Sequence, residues 1–269
     1  MPYFESDGAR LHYEDADFTD PWRAPAPAVL LQHGFARNGR FWYAWVPLLA
    51  RWYRVVRPDL RGMGGSTMPP EEFRPDLDTF VGDILHLLDH LGVHQVTYVG
   101  ESFGGLVGLK LAHDHPQRVR ALVLVNTPCR LSDDWRRDMR SDWGGAAATV
   151  GDWSRRTLAM RLDPDRSSPG LQDWYVREMD KTNPEVARKL QAYLSTLDFT
   201  SHLKDVRVPA LLISGSKSPT SRIDQQHLMQ REMPHAELAV FEDVGHGVNV
   251  VEPERCVERV VRFLEGLPK

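Results

Sequence analysis

Six short strand-like runs, at residues 28–31, 54–57, 96–99, 121–125, 209–213 and 238–241, recur along the chain and alternate with stretches of helical patterning. Short runs of this kind, mostly apolar on successive residues, are what strands buried on both faces look like. Strands separated by helices must cross back over the sheet and so run parallel. The clearest helix lies between the second and third runs. There Leu77, Phe80, Ile84, Leu87, Leu88 and Leu91 fall at three- and four-residue steps on one face, and Gly92 follows as a stop. A last helix is expected from about 253 to 264. The expected fold class is therefore α/β: a doubly wound, mostly parallel sheet covered on both sides.

Between Thr127-Pro128 and Leu203 the rhythm breaks. No apolar strand run occurs there, and the stretch is helical in character and heavily charged. The expected organisation is a core of residues 1–130 and 199–269 with a helical cap, 131–198, inserted into it. Four of the eight tryptophans fall in that insert: Trp135, Trp143, Trp153 and Trp174. They either pack among themselves or line a ligand pocket beneath the cap, since pockets are aromatic-lined and favour domain boundaries. The pocket-lining arrangement is the one expected here.

Composition narrows the partners. Net charge is −4, with no clustered basic face of the kind nucleic-acid binding requires. No apolar run approaches the roughly 20 residues of a membrane span. The first residues, Met1-Pro2-Tyr3-Phe4-Glu5-Ser6-Asp7, show neither the basic nor the apolar region of a signal peptide. Two cysteines, Cys129 and Cys256, are too few for a disulfide framework. Cys129 reads as a small packed residue. No His/Cys/Asp cluster has metal-ligand spacing, so neither a metal nor an organic cofactor is expected. The whole fits a cytoplasmic protein acting on a small molecule.

Chemistry concentrates at Val99-Gly100-Glu101-Ser102-Phe103-Gly104-Gly105, which follows a strand and precedes a helix. A serine in such a turn stands at the carboxyl edge of the sheet, exposed as a nucleophile, and the tightness of the turn demands small neighbours at Gly100 and Gly104. Acyl transfer also needs donors for the developing oxyanion. The backbone N–H of Phe103 is one candidate. The N–H of Phe35, in Leu31-Gln32-His33-Gly34-Phe35 after the first run, is the other. His33 itself reads as structural. Of the eleven histidines, His246 is the expected base, because Val244-Gly245-His246-Gly247 forms a glycine-flanked loop just after the last run.

These segments, with Asp59-Leu60-Arg61-Gly62-Met63-Gly64-Gly65-Ser66, resemble the α/β-hydrolase family from about Ala28 to the end of the chain. The nearest look-alikes are the small capped bacterial esterases, enol-lactonases and carbon–carbon bond hydrolases of aromatic breakdown. The resemblance implies a serine hydrolase in which Ser102 attacks an ester or lactone, with His246 as base and the Phe35 and Phe103 amides as oxyanion hole. It also leaves room for hydrolysis of a vinylogous diketone, or for a ligand-binding protein whose catalytic triad has decayed. A serine at the elbow, rather than an aspartate, argues against epoxide hydrolase and haloalkane dehalogenase.

One departure stands out against the resemblance. Many relatives carry an aspartate in a Gly-x-x-Asp pattern after the seventh strand, where Gly215-Ser216-Lys217-Ser218 has a serine. Others place an acid after the sixth strand, where Val125-Asn126-Thr127-Pro128 has an asparagine. The candidates for the third catalytic position are, in order, Asn126, Asp224 and Ser218. Asn126 is expected within hydrogen-bond reach of the His246 ring, on the carboxyl edge shared with Ser102. Glu101 is expected to point away from the base.

Overall fold

The computed structural model describes residues 2–22, 25–131 and 148–268. Among them eight strands form one sheet: β1 (Tyr3–Ser6), β2 (Ala9–Ala16), β3 (Ala28–Gln32), β4 (Arg54–Pro58), β5 (Val96–Glu101), β6 (Val119–Val125), β7 (Ala210–Gly215) and β8 (Ala236–Phe241). Their spatial order is β1-β2-β4-β3-β5-β6-β7-β8. From β4 to β8 every neighbouring pair is parallel, and β1 and β2 join antiparallel at one edge. The six strand-like runs all became strands, with no end moved by more than two residues. β1 and β2 had no counterpart in the sequence reading. Their exposed positions carry Glu5, Arg10 and Asp15, so they lack the continuous apolar stretch of an inner strand.

The pleat explains why the inner runs are apolar on consecutive residues. Leu30, Val56, Tyr98, Leu122, Leu124 and Leu212 face one buried cluster, while Val29, Leu31, Val55, Val99, Val123 and Ile213 face the other. Apolar side chains therefore occupy both parities, with a few buried polar residues such as Thr97 and Ser214 among them. Each large apolar side chain so buried contributes roughly 1.5–3 kcal/mol of transfer free energy.

The described helices are α1 (Val46–Leu49), α2 (Leu77–His90), α3 (Phe103–Asp114), α4 (Val150–Arg156), α5 (Pro169–Met179), α6 (Pro184–Leu194), α7 (Ile223–Glu232), α8 (Val248–Val251) and α9 (Pro253–Glu265). α2 begins at Asp76, whose carboxylate accepts from the Thr79 N–H at 2.7 Å. Its face of Leu77, Phe80, Val81, Ile84, Leu87 and Leu88 joins α3 on one side of the sheet. α9 lays Cys256, Val257, Val260, Phe263 and Leu264 on the other.

Helices α4, α5 and α6 all fall between β6 and β7. Among the described residues of that stretch the only ladder contact is an isolated bridge between Arg130 and Asp198. Val150, Trp153, Leu162, Tyr175, Met179 and Ala187 form a third cluster with Ala36, Phe41 and Val250, which follow β3 and β8 at the sheet's carboxyl edge. Helices α4, α5 and α6 therefore pack over the edge where the parallel strands end. Trp135 and Trp143 lie outside the described residues. Among the described residues no helix is long and apolar enough to cross a membrane.

Candidate active site

The sharp turn at Ser102 follows from where β5 must stop. Ser102 has φ 52° and ψ −114°, a conformation that non-glycine residues seldom adopt and that costs on the order of 1–3 kcal/mol. Its N–H donates to the Val125 carbonyl at 3.0 Å, and its own carbonyl accepts from the Gly105 and Leu106 N–H groups. The strain is held by backbone packed against backbone. A side chain at Gly100 would run into Gly104, and one at Gly104 into the Gln32 and His33 carbonyls. Nothing larger than hydrogen fits at either position.

The loop after β3 meets this turn directly. A side chain on Gly34 would collide with the Glu101 carboxylate and come within 3.1 Å of Ser102 Cβ. His33 holds the loop in place: its Nε2 accepts from the Leu60 N–H at 2.9 Å, and its Nδ1 lies 2.9 Å from the Gly34 carbonyl. Burial pushes the His33 ring below its ordinary value, which suits a neutral, structural imidazole. Phe35 and Phe103 both line the cavity that also contains Ser102 and His246. Among the described residues, neither the Phe35 nor the Phe103 N–H has a backbone acceptor. The Phe103 N–H is free because it opens α3, whose first N–H groups have no partner within the helix.

His246 sits on the loop after β8 and is almost fully buried. Asn126, immediately after β6 and at φ 43°, clamps that loop. Its Nδ2 donates to the Gly245 and His246 carbonyls at 3.1 and 2.7 Å. Its Oδ1 accepts from the Gly215 N–H at 2.9 Å, Ser221 Oγ at 3.2 Å and Ser214 Oγ at 3.3 Å. Both ends of the amide are thus spent on other groups. The expected hydrogen bond from Asn126 to the ring is absent, because the loop crosses Asn126 with its backbone and turns the imidazole elsewhere. Asp224, the second candidate, lies on α7, largely exposed, and pairs with Arg222. Ser218, ranked last, is the one that reaches the ring.

The ring's Nδ1 is met by two hydroxyls, Ser218 Oγ at 3.0 Å and Thr220 Oγ1 at 2.7 Å. Thr220 had not been singled out in the sequence, since a hydroxyl in a Ser-Pro-Thr-Ser loop looks like ordinary turn chemistry. Glu101 also departs from expectation. Its Oε1 lies 3.3 Å from His246 Nε2, and its Oε2 lies 2.9 Å from Arg37 Nη1. The cause is Arg37, a buried guanidinium that draws the carboxylate inward and also donates to the Tyr175 hydroxyl of α5 at 2.5 Å. Burial alone would raise the Glu101 carboxyl, but the Arg37 charge, helped by His246, holds it below the usual carboxylate range. Burial lowers the His246 ring below its ordinary value, with Glu101 opposing. The arrangement is a neutral imidazole beside an ionised carboxylate.

A cavity opens over Ser102, with about 530 Å³ of space between its walls, part of it open to solvent. Its walls are largely apolar, with Leu106, Pro128, Leu131 and Leu194. Trp153 of α4 lines it, stacked edge-on to Phe35 with centroids 5.4 Å apart. Trp174 does not. It packs on Phe41 and Tyr43 and borders a separate groove. Cys129 is fully buried, and burial pushes its thiol up.

Comparison with known proteins bears on this geometry. The sequence pattern of the alpha/beta hydrolase fold matches residues 27–162, more than half the chain. The chain belongs to the α/β-hydrolase fold family. Within that family it is 30% identical over 254 residues to the pimeloyl-[acyl-carrier protein] methyl ester esterase of Aromatoleum aromaticum, covering 88% of this chain and 98% of the relative. It is 25% identical over 250 residues to 3-oxoadipate enol-lactonase 2 of Acinetobacter baylyi, covering 89% and 90%. The enol-lactonase of Burkholderia xenovorans has the same fold, with a TM-score of 0.86 at 24% identity over 98% of this chain and 100% of that one. The α/β-hydrolase family to which this chain belongs is one of hydrolytic enzymes acting on small molecules.

Proposed function

We propose that the protein is a serine hydrolase that cleaves a carboxylic ester or lactone through an acyl-enzyme on Ser102. The observation that carries this reading is the strained Ser102 turn, opening into the same apolar cavity as His246 and the unpartnered Phe35 and Phe103 N–H groups. The segment between β6 and β7 serves as a cap that roofs the cavity.

In the first step Ser102 Oγ forms a bond to the acyl carbon while its proton passes to His246 Nε2. The carbonyl oxygen takes up the electron pair and is held by the two N–H groups. Collapse expels the alcohol oxygen, which receives the proton from Nε2. Water then repeats the sequence on the acyl-enzyme, releasing the acid and restoring Ser102. Each transfer passes through an imidazolium. Its positive charge faces the Glu101 carboxylate, so the charge supplied by an aspartate in many relatives comes here from beside the nucleophile. Reacting ester and lactone panels with the enzyme, followed by intact mass after rapid quench, tests the reading. A transient adduct of acyl mass is expected, and turnover without any adduct would contradict it.

Two further outcomes follow. The base must be neutral to accept a proton, so activity rises with pH through the His246 titration. The groups acting on that ring are Glu101, which raises its pKa, and Arg37 and Arg161, which lower it along with burial. The acid limb of kcat/KM is therefore expected below pH 6.5 and flat above it. A midpoint above 6.5 would remove His246 from this role. Binding of a non-hydrolysable ester analogue should change tryptophan fluorescence, and Trp153→Phe should abolish most of the change. If Trp174→Phe abolishes it instead, ligands bind in the other groove.

A further inference from the structure

Two hollows meet at Leu106. The cavity over Ser102 is walled on one side by Phe103 and Leu106 of α3, with Leu131 and Leu194 beside them. Another groove, on the outer surface between α2, α3 and the end of α6, is lined by Leu77, Leu106, Lys110, Tyr193, Leu197 and Phe199. Leu106 is almost fully buried, and among the described residues it alone belongs to both linings. We infer that Leu106 is the wall that sets how long an acyl chain the enzyme accepts, and that the substrate's acyl group is a straight aliphatic chain directed at this wall. The groove behind it is the space into which a longer chain would run. The inference names a substrate class for the hydrolase reading above and rests on that reading.

The direction of the chain follows from the nucleophile turn. Phe103, whose N–H would hold the carbonyl oxygen, and Leu106 are three residues apart on α3 and so share a face. A carbonyl held at Phe103 therefore brings one arm of the substrate alongside Leu106. The leaving alcohol takes its proton from His246, which borders the cavity but not the groove, so the alcohol arm lies on that side. The acyl arm is left for Leu106. Its surroundings are Phe103, Leu106, Leu131 and Leu194, and beyond the wall the line continues through Leu77, Leu197 and Phe199. A methylene chain needs no polar partner from such walls, and each carbon removed from water adds to its affinity in proportion to its area. A charged chain end would have to pass Leu106 without a partner.

The sides of the groove are tied together. Lys110 Nζ of α3 lies 2.8 Å from Asp78 Oδ1 of α2 and also pairs with Asp114. The Leu77 N–H donates to the Tyr193 hydroxyl of α6 at 2.8 Å. These bonds join α2 to α3 and to α6. Where the segment between β6 and β7 leaves and rejoins the core, the Phe199 N–H donates to the Cys129 carbonyl at 2.8 Å, and Arg130 bridges to Asp198. With the surrounding elements held in this way, the side chain at position 106 decides whether cavity and groove are two spaces or one. Leu106 touches no reacting atom. Its role is in specificity.

The ratio of kcat/KM on p-nitrophenyl decanoate to that on p-nitrophenyl butyrate tests the inference. Leu106→Ala is expected to raise this ratio by about tenfold or more, because several methylenes gain room. Leu106→Phe should lower it. Leu106→Val should raise it by less than alanine does, and it serves where alanine at this buried position fails to fold. Leu197→Trp, which adds bulk on the groove side, should cancel the gain when combined with Leu106→Ala. A ratio unmoved by the folded variants at position 106 would mean that the acyl chain lies elsewhere. A gain that survives Leu197→Trp would mean that the chain merely fills the space vacated by the leucine. Either result overturns the inference. Calorimetric binding of decanoate to the same variants in a Ser102→Ala background does not depend on turnover. The expected dependence on residues 106 and 197 there, with no ester cleaved by wild type, would refute the hydrolase reading and leave the acyl-chain site standing.

Discussion

Ser102→Ala is expected to lower kcat on any ester the protein turns over by about four to six orders of magnitude. Ligand affinity should stay within about threefold and the melting temperature within a few degrees. The effect is large because the proposed covalent step has no other nucleophile. Among the described residues lining the cavity, Thr220 is the only other hydroxyl, and it faces His246 from the Nδ1 side. The fold should be spared because alanine loses only the Oγ. The backbone bonds that hold the turn, from the Ser102 N–H to Val125 and from Gly105 and Leu106 to the Ser102 carbonyl, do not involve it. Comparing kcat/KM with binding of a non-hydrolysable analogue separates the two effects. Hydrolysis within tenfold of wild type would mean that the ester is cleaved elsewhere or by another route.

Asn126→Asp is expected to destabilise the protein by roughly 2–5 kcal/mol and to slow hydrolysis. The opposite follows from the sequence, where an acid after β6 looks like a restored triad. Geometry reverses the sign. A carboxylate at this place would put an oxygen against the Gly245 and His246 carbonyls, now 3.1 and 2.7 Å from an N–H donor. It would also bury a charge whose described hydrogen-bond partners include no cation. The loop carrying His246 would have to shift, and with it the base. Thermal denaturation and kcat on one ester measure both effects. A variant as stable as wild type and at least tenfold faster would mean that residue 126 reaches the ring in solution.

The difference between those two readings marks where sequence stops being informative. The inner strands were legible because burial on both faces puts apolar side chains on successive residues. The Ser102 turn was legible because only glycine fits where Gly100 and Gly104 lie against neighbouring backbone. His246 could be found from its glycine-flanked loop after a strand. What surrounds the imidazole could not. Ser218, Thr220 and Ser221 read as a turn, and the bond from Ser221 to Asn126, almost a hundred residues away in sequence, leaves no local pattern. Glu101 turns toward the base because Arg37 lies beneath it, a pairing across 64 residues with no local pattern. The N-terminal hairpin escaped notice because the exposed Glu5, Arg10 and Asp15 interrupt its apolar pattern. The tryptophans of the insert divided: Trp153 meets the cavity while Trp174 borders another groove.

The central claim is that Ser102 is an activated nucleophile, rather than a serine in the pocket of a ligand-binding protein whose triad has decayed. Treating the protein with a fluorophosphonate and mapping the adduct by peptide mass spectrometry tests it most directly, since no knowledge of the substrate is needed. One adduct per chain is expected, on the peptide containing Ser102, absent from Ser102→Ala and formed far more slowly in His246→Gln. A folded wild-type protein that takes up no label, or takes it up on another residue, would contradict the account.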